Sequence, residues 1–184
     1  MSKKIIMKSD ELTRKIKRLS SEILDDAHGE KDLVLIGIHS KGVYLARRIW
    51  EQIKKFTEKE IPMGILDITL YRDDFSRRPV RSKIKETVID FDITDKHVVL
   101  VDDVIWSGRT VRAALDELID FGRPAKIRLC VLADRGGREL PIEPNFTGIN
   151  ISVKKNELIE LHSKSIDGAD EVVVKKQLKA DKEV

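Results

Sequence analysis

The string VVLVDDVIWSGRT (98–110) constrains this chain more than any other feature. Val98, Val99, Leu100 and Val101 form a short apolar run of the kind that fills a buried parallel strand. The run is expected to end abruptly at two adjacent carboxylates, Asp102 and Asp103. Val104, Ile105 and Trp106 then lead into a small-residue turn, Ser107, Gly108, Arg109 and Thr110, which opens a helix through Val111, Ala114, Leu115 and Leu118. Backbone N–H groups and two hydroxyls at a helix start favour a phosphate. Gly108 lets the backbone approach closely because it has no Cβ. Two neighbouring carboxylates repel one another and are wasteful in a purely structural role. They are suited to accepting hydrogen bonds from vicinal sugar hydroxyls and to helping place a divalent cation. The turn is neither a P-loop nor a dinucleotide fingerprint, since GxxxxGK[ST] and GxGxxG are both absent. Two acids and a glycine turn alone fit an N-capped helix start equally well.

The surrounding pattern supplies the frame. Leu12, Ile16, Leu19 and Ile23 recur at helical spacing behind Ser9, Asp10 and Glu11, which predicts a first helix capped at Ser9 with acids matched to its dipole. DLVLIGI (32–38) reads as a buried strand, HSKG (39–42) as a turn, and Leu45, Ala46, Ile49, Trp50 and Ile53 as a second helical stripe. GILDITLY (64–71) predicts a further strand, followed by a loop with six basic and two acidic residues between Arg72 and Lys85. That loop is either a solvated face or a basic segment that closes over an anionic substrate. Gly122 and Pro124 stop the third helix, and KIRLCVLA (126–133) is the next strand. The segment 134–150 shows no clear period, and short strand-like pieces follow near 158–161 and 171–174. Alternating strands and helices give an α/β class with a mainly parallel central sheet flanked by helices. Ligands of such proteins bind at the carboxyl ends of the strands, where HSKG, the 102–110 turn and the loop from Asp134 all fall.

Composition narrows the function classes. The 184 residues fit one domain, 1–184, with 41% apolar and only 5% aromatic side chains. Charged residues reach 36%, while only five Asn and Gln occur, a balance that leans towards heat-adapted proteins. There is no run of about 18 apolar residues, so no membrane span is expected, and the apolar part of MSKKIIMKSDEL is too short for a signal peptide. Cys130 is the one cysteine, which excludes an internal disulfide and a Cys-rich zinc site and suits a reducing cytoplasm. Cys130 is expected in the core, and His39 and His162 in structural or exposed positions. The net charge of +3 says little about nucleic acid.

The full 98–110 string is similar to the phosphoribosyl pyrophosphate (PRPP) signature of type I phosphoribosyltransferases. GIHSKGVYLARRI (37–49), DITLYRDD (67–74), GRPAKI (122–127) and DRGGRELPI (134–142) follow in the order seen in the PyrR family, and the resemblance spans about 10–174. That family joins uracil phosphoribosyltransferase activity to attenuation of pyrimidine operons. The resemblance implies a type I phosphoribosyltransferase fold with a small C-terminal hood, about 134–174. It implies that Asp102 and Asp103 hold the ribose 2′- and 3′-hydroxyls, bear indirectly on Mg²⁺ bound with PRPP, and stabilise charge at C1′. Ser107, Gly108, Arg109 and Thr110 would cradle the 5′-phosphate, and Ser40, Lys41 and Gly42 the pyrophosphate. Arg72 would reach the leaving pyrophosphate, and the base would be read by backbone groups near Val131 and Asp134. Homodimers or larger homo-oligomers, uracil, UMP and a pyr mRNA attenuator are the implied partners.

Departures cluster on the RNA side. Arg18 and Arg138 are kept as candidate RNA contacts, but Ser21 and Gly137 stand where the family has His, and Glu143 and Ile149 where Arg and Lys are common. Asn150 to Lys154 replaces the usual Asn-Ile-Pro-Thr-Ser. Trp106 and Ser107 replace the usual Tyr and Thr. Exchanging a cation for Glu removes attraction to phosphate and adds repulsion. Three readings therefore stand: a uracil transferase that also regulates through RNA, a nucleotide sensor with poor turnover, and a transferase for another base without RNA binding.

Overall fold

The computed structural model describes residues 3–29, 31–69 and 86–176. Along the chain run β1 (Lys3–Met7), α1 (Ser9–Ala27), β2 (Leu33–Ile38), α2 (Lys41–Thr57), β3 (Met63–Leu66), β4 (His97–Ile105) and α3 (Arg109–Leu118). A 3-10 turn (Ile119–Phe121), β5 (Lys126–Asp134), β6 (Phe146–Asn150), β7 (Glu157–His162), α4 (Lys164–Asp167) and β8 (Glu171–Lys176) complete it. Among the described residues no helix is long and apolar enough to cross a membrane.

Five strands form a parallel sheet in the order β3-β2-β4-β5-β6. Counting this sheet's strands alone, the order is 2-1-3-4-5, so the winding reverses between β2 and β4. At such a switch point the two strand ends diverge and leave a crevice for a ligand. Strand side chains alternate between two cores. Leu33, Leu35, Val99, Val101, Cys130 and Leu132 face α1 and α2. Val34, Ile36, Val98, Leu100 and Val131 face α3. On α1, Leu12, Ile16, Leu19 and Ile23 are fully buried, as their spacing predicts, each worth about 2 kcal/mol of transfer free energy.

A second sheet, β1-β8-β7, is antiparallel and closes over the α1–α2 side of the core through Met7, Ile159, Leu161, Val172 and Val174. The segment 134–174 divides between the two sheets: β6 extends the main sheet, while β7 and β8 pair with the N-terminal β1.

Several expectations need correction. Ser9 does not cap α1: Lys8 occupies the cap position, and no side chain bonds there. The strand expected over 64–71 ends at Leu66, because Asp67 accepts hydrogen bonds from the Thr69 N–H (3.1 Å) and hydroxyl (2.6 Å), a turn that bends the chain away. β4 does not stop at Asp102. It runs to Ile105 because β5 continues alongside it, pairing Asp102 with Val131 and Ile105 with Asp134. Gly122 does end the third helical segment, but through the intervening 3-10 turn. The basic loop and Arg72 lie outside the described residues.

Candidate active site

The switch point gathers the distinctive residues. After β2 the chain turns through His39, whose N–H donates to the Leu66 carbonyl at 2.9 Å, and enters α2 at Lys41. The His39–Ser40 peptide is cis. Ser40 holds the cap position without bonding the helix through its hydroxyl. Gly42 then lies directly on β4: a Cβ there would stand 2.4 Å from the Val101 carbonyl oxygen and 3.0 Å from the Asp102 Cα. Only glycine permits this approach, and it is what brings the 39–42 turn against the acid pair.

Asp102 is buried and Asp103 half-buried, and the Asp103 N–H donates to Asp102 Oδ1 at 2.9 Å. Burial raises the Asp103 carboxyl above the ordinary range. Beyond β4, Gly108 takes the N-cap of α3 with φ +91°. Its carbonyl receives the Arg112 N–H at 2.9 Å, and Ser107 Oγ accepts from the Arg109 N–H at 3.4 Å. The chain from Asp134 braces this turn. The Glu139 and Leu140 N–H groups donate to the Ser107 carbonyl at 2.9 and 3.1 Å, and Arg109 Nε donates to Glu139 Oε2 at 2.7 Å. A helix start held in this way presents N–H groups to an anion without reorganising.

Trp106 is exposed beside the turn, with the Arg135 guanidinium 4.3 Å from its ring centre. The two expected base contacts part company. Asp134 reaches the strand end, its carboxylate held by Arg138 at 2.6 and 2.9 Å and kept below the usual range by that bond. Val131 has a fully buried side chain and sits between β4 and β6, in register with Asp102 and Thr147.

Of the two expected RNA contacts, Arg138 is turned inward and Arg18 lies exposed on α1. All five N–H donors of Arg138 meet acceptors: the Ile142 and Trp106 carbonyls, both Asp134 oxygens and Glu143 Oε2. Arg18 bonds Glu22 and the Thr147 and Gly148 carbonyls. His162 is buried between Glu171 (3.2 Å) and Glu160 (3.3 Å), and burial pushes the Cys130 thiol pKa up. Sequence reasoning missed Asp167, whose Oδ2 takes the Lys41 ammonium at 2.6 Å. The two lie 126 residues apart, beyond the reach of any local pattern.

Among the described residues no group of three or more His, Cys, Asp or Glu could hold a metal. Two adjacent carboxylates still fit Mg²⁺ of the kind that keeps its waters and arrives on substrate phosphates.

This fold and site define a phosphoribosyltransferase: the model of the phosphoribosyl transferase domain matches residues 3–163. The chain is 48% identical over 167 residues to the bifunctional protein PyrR of Thermus aquaticus, covering 91% of this chain and 92% of that one. It is 49% identical over 173 residues to the bifunctional protein PyrR of Chloroflexus aurantiacus, covering 94% and 95%. It therefore belongs to the PyrR family. The hypoxanthine phosphoribosyltransferase of Trypanosoma cruzi shares the fold, with a TM-score of 0.70 at 21% identity over 95% of this chain and 97% of that one.

Proposed function

We propose that this phosphoribosyltransferase converts uracil and PRPP to UMP and pyrophosphate. One observation carries the reading: Gly42 seats the 39–42 turn on Asp102, at the strand whose end leads into the Gly108 helix start. The choice of uracil rests on membership of the PyrR family.

Each residue then has a task. Ser107, Gly108, Arg109 and Thr110 hold the 5′-phosphate, and Ser40, Lys41 and Gly42 hold the pyrophosphate. Asp102 and Asp103 accept hydrogen bonds from the ribose hydroxyls and offset the positive charge that grows at C1′ as its bond to pyrophosphate breaks and the bond to uracil N1 forms, the N1 proton passing to solvent. Mg²⁺ bound with PRPP supplies neutralisation of the departing pyrophosphate. Asp134 and the neighbouring chain flank the base. Arg72 is assigned to the leaving pyrophosphate. The chain works in the cytoplasm as a homodimer or larger homo-oligomer, the state a size-exclusion and light-scattering measurement reads.

As a member of a bifunctional family the chain is also a candidate for UMP-responsive binding of a pyr mRNA attenuator. A specific observation favours the alternative, transfer without RNA regulation. Arg138 is paired with Asp134 at 2.6 Å, and Glu143, which stands where Arg is common in the family, closes a second ion pair on it at 3.3 Å, so the retained cation is neutralised within the chain. Incubation with PRPP, Mg²⁺ and, in parallel, uracil, orotate, hypoxanthine and guanine tests the reading. UMP as the main product supports it, and preferred conversion of another base overturns the assignment of uracil.

A further inference from the structure

Outside the acid pair and the phosphate turn, the most organised polar contact near the crevice is the one between α2 and the chain around α4. Lys41, Tyr44 and Arg48 lie at positions i, i+3 and i+7, so they share one face of α2. That face meets 163–170. Asp170 accepts from the Tyr44 hydroxyl (2.8 Å), the Lys164 N–H (2.6 Å) and Arg48 (3.3 Å), and Arg48 also donates to the Tyr44 oxygen at 3.0 Å. Asp167 Oδ2 accepts from the Ser163 N–H at 2.9 Å and from Lys41 Nζ at 2.6 Å.

We infer that Asp167 is a positioning residue for Lys41, fixing its ammonium beside the crevice to receive the pyrophosphate end of PRPP. The inference deepens the proposed function and rests on the 39–42 turn being the pyrophosphate turn. A lysine ammonium rides on a flexible four-carbon stem, and ordering it costs entropy that a preorganised partner removes before the substrate arrives. Asp167 is suited to this because the backbone of Ser163 holds the same oxygen that receives Lys41. The position of Lys41 is set from the other side too. The next residue, Gly42, lies on β4 at Asp102. Lys41 therefore stands between the acid pair and the second sheet.

A purely structural role predicts something different. The Asp170 cluster already ties 163–170 to α2, and an ion pair with both partners 26% exposed adds little to stability. Its consequence is geometric.

The test uses the full chain and its Asp167→Asn, Asp167→Glu, Lys41→Met and Asp170→Asn variants, titrated with Mg²⁺-PRPP by calorimetry and assayed for KM and kcat. Asp167→Asn is expected to raise the PRPP Kd and KM about tenfold, the scale of one charge-assisted bond, with the KM for uracil and the Tm unchanged. Asp167→Glu should recover part of that loss, and Asp167→Asn should add nothing in a Lys41→Met background. Unchanged PRPP affinity in Asp167→Asn, or an equal loss in Asp170→Asn, overturns the assignment while the transferase reading stands. A wild-type chain that binds no PRPP overturns both.

Discussion

Trp106 and Gly137 are fitted to one another: a Cβ on Gly137 would stand 3.0 Å from the indole Nε1, and Gly137 holds φ +77°, where side chains are strained. The PyrR resemblance leads one to expect Tyr and His at these positions, and the contact predicts that the two departures compensate one another. Gly137→His should destabilise the chain by about 1–3 kcal/mol. Trp106→Tyr with Gly137→His should recover part of this, which a double-mutant cycle in denaturant would measure. Additive effects would show that the pair is not coupled.

Gly42→Ala is expected to be severely damaging. Its neighbour at 2.4 Å is a strand carbonyl, which cannot swing aside as a side chain would. PRPP affinity should fall by at least about tenfold even where the variant still folds, because the turn must lift off Asp102. Calorimetric titration alongside Gly136→Ala, where a Cβ meets nothing within 4 Å but the backbone holds φ +68°, separates the crowding at Gly42 from the strain of a left-handed backbone.

Acid should unpick the opposite end of the sheet. Arg128 above all, with Lys126, holds the Asp26 carboxyl down from 3.8 to about 2. A depressed pKa stabilises the fold above the unfolded value and loses that contribution as pH falls through the folded one. The term is therefore present above about pH 4 and fades towards pH 2, and is worth about 1 kcal/mol after solvent screening. Asp26→Asn should flatten the denaturation profile in that window. An unchanged slope would contradict the assignment.

Much of this was legible before the structure. Buried strands such as 33–38 announce themselves as apolar runs, and the acid pair and glycine turn carry their chemistry in adjacent letters. What stayed hidden is non-local. Phe146-Thr-Gly-Ile-Asn has no strand period of its own, yet it is held in the main sheet by β5. Lys3–Met7 is a strand only because β8 pairs with it from the far end of the chain. Lys41 reads as a site residue, but its partner Asp167 leaves no mark in the sequence.

The inward set of Arg138 yields a prediction about RNA. Glu143→Arg removes the ion pair at 3.3 Å and adds a cation. Affinity for a pyr attenuator RNA should rise about tenfold, with the slope of log K against log salt steeper by about 1. Filter binding at two salt concentrations reads both quantities. No change in either would mean that this face does not meet RNA.

The central claim is that Asp102 and Asp103 drive phosphoribosyl transfer to uracil. The most direct measurement is UMP formation from uracil and Mg²⁺-PRPP by the wild-type chain and by Asp102→Asn/Asp103→Asn, with circular dichroism to verify the fold. The account predicts UMP from the wild type and a loss of at least about 100-fold in kcat for the folded double variant. Turnover that survives the double substitution, or a wild type that binds PRPP and yields no UMP, would contradict it.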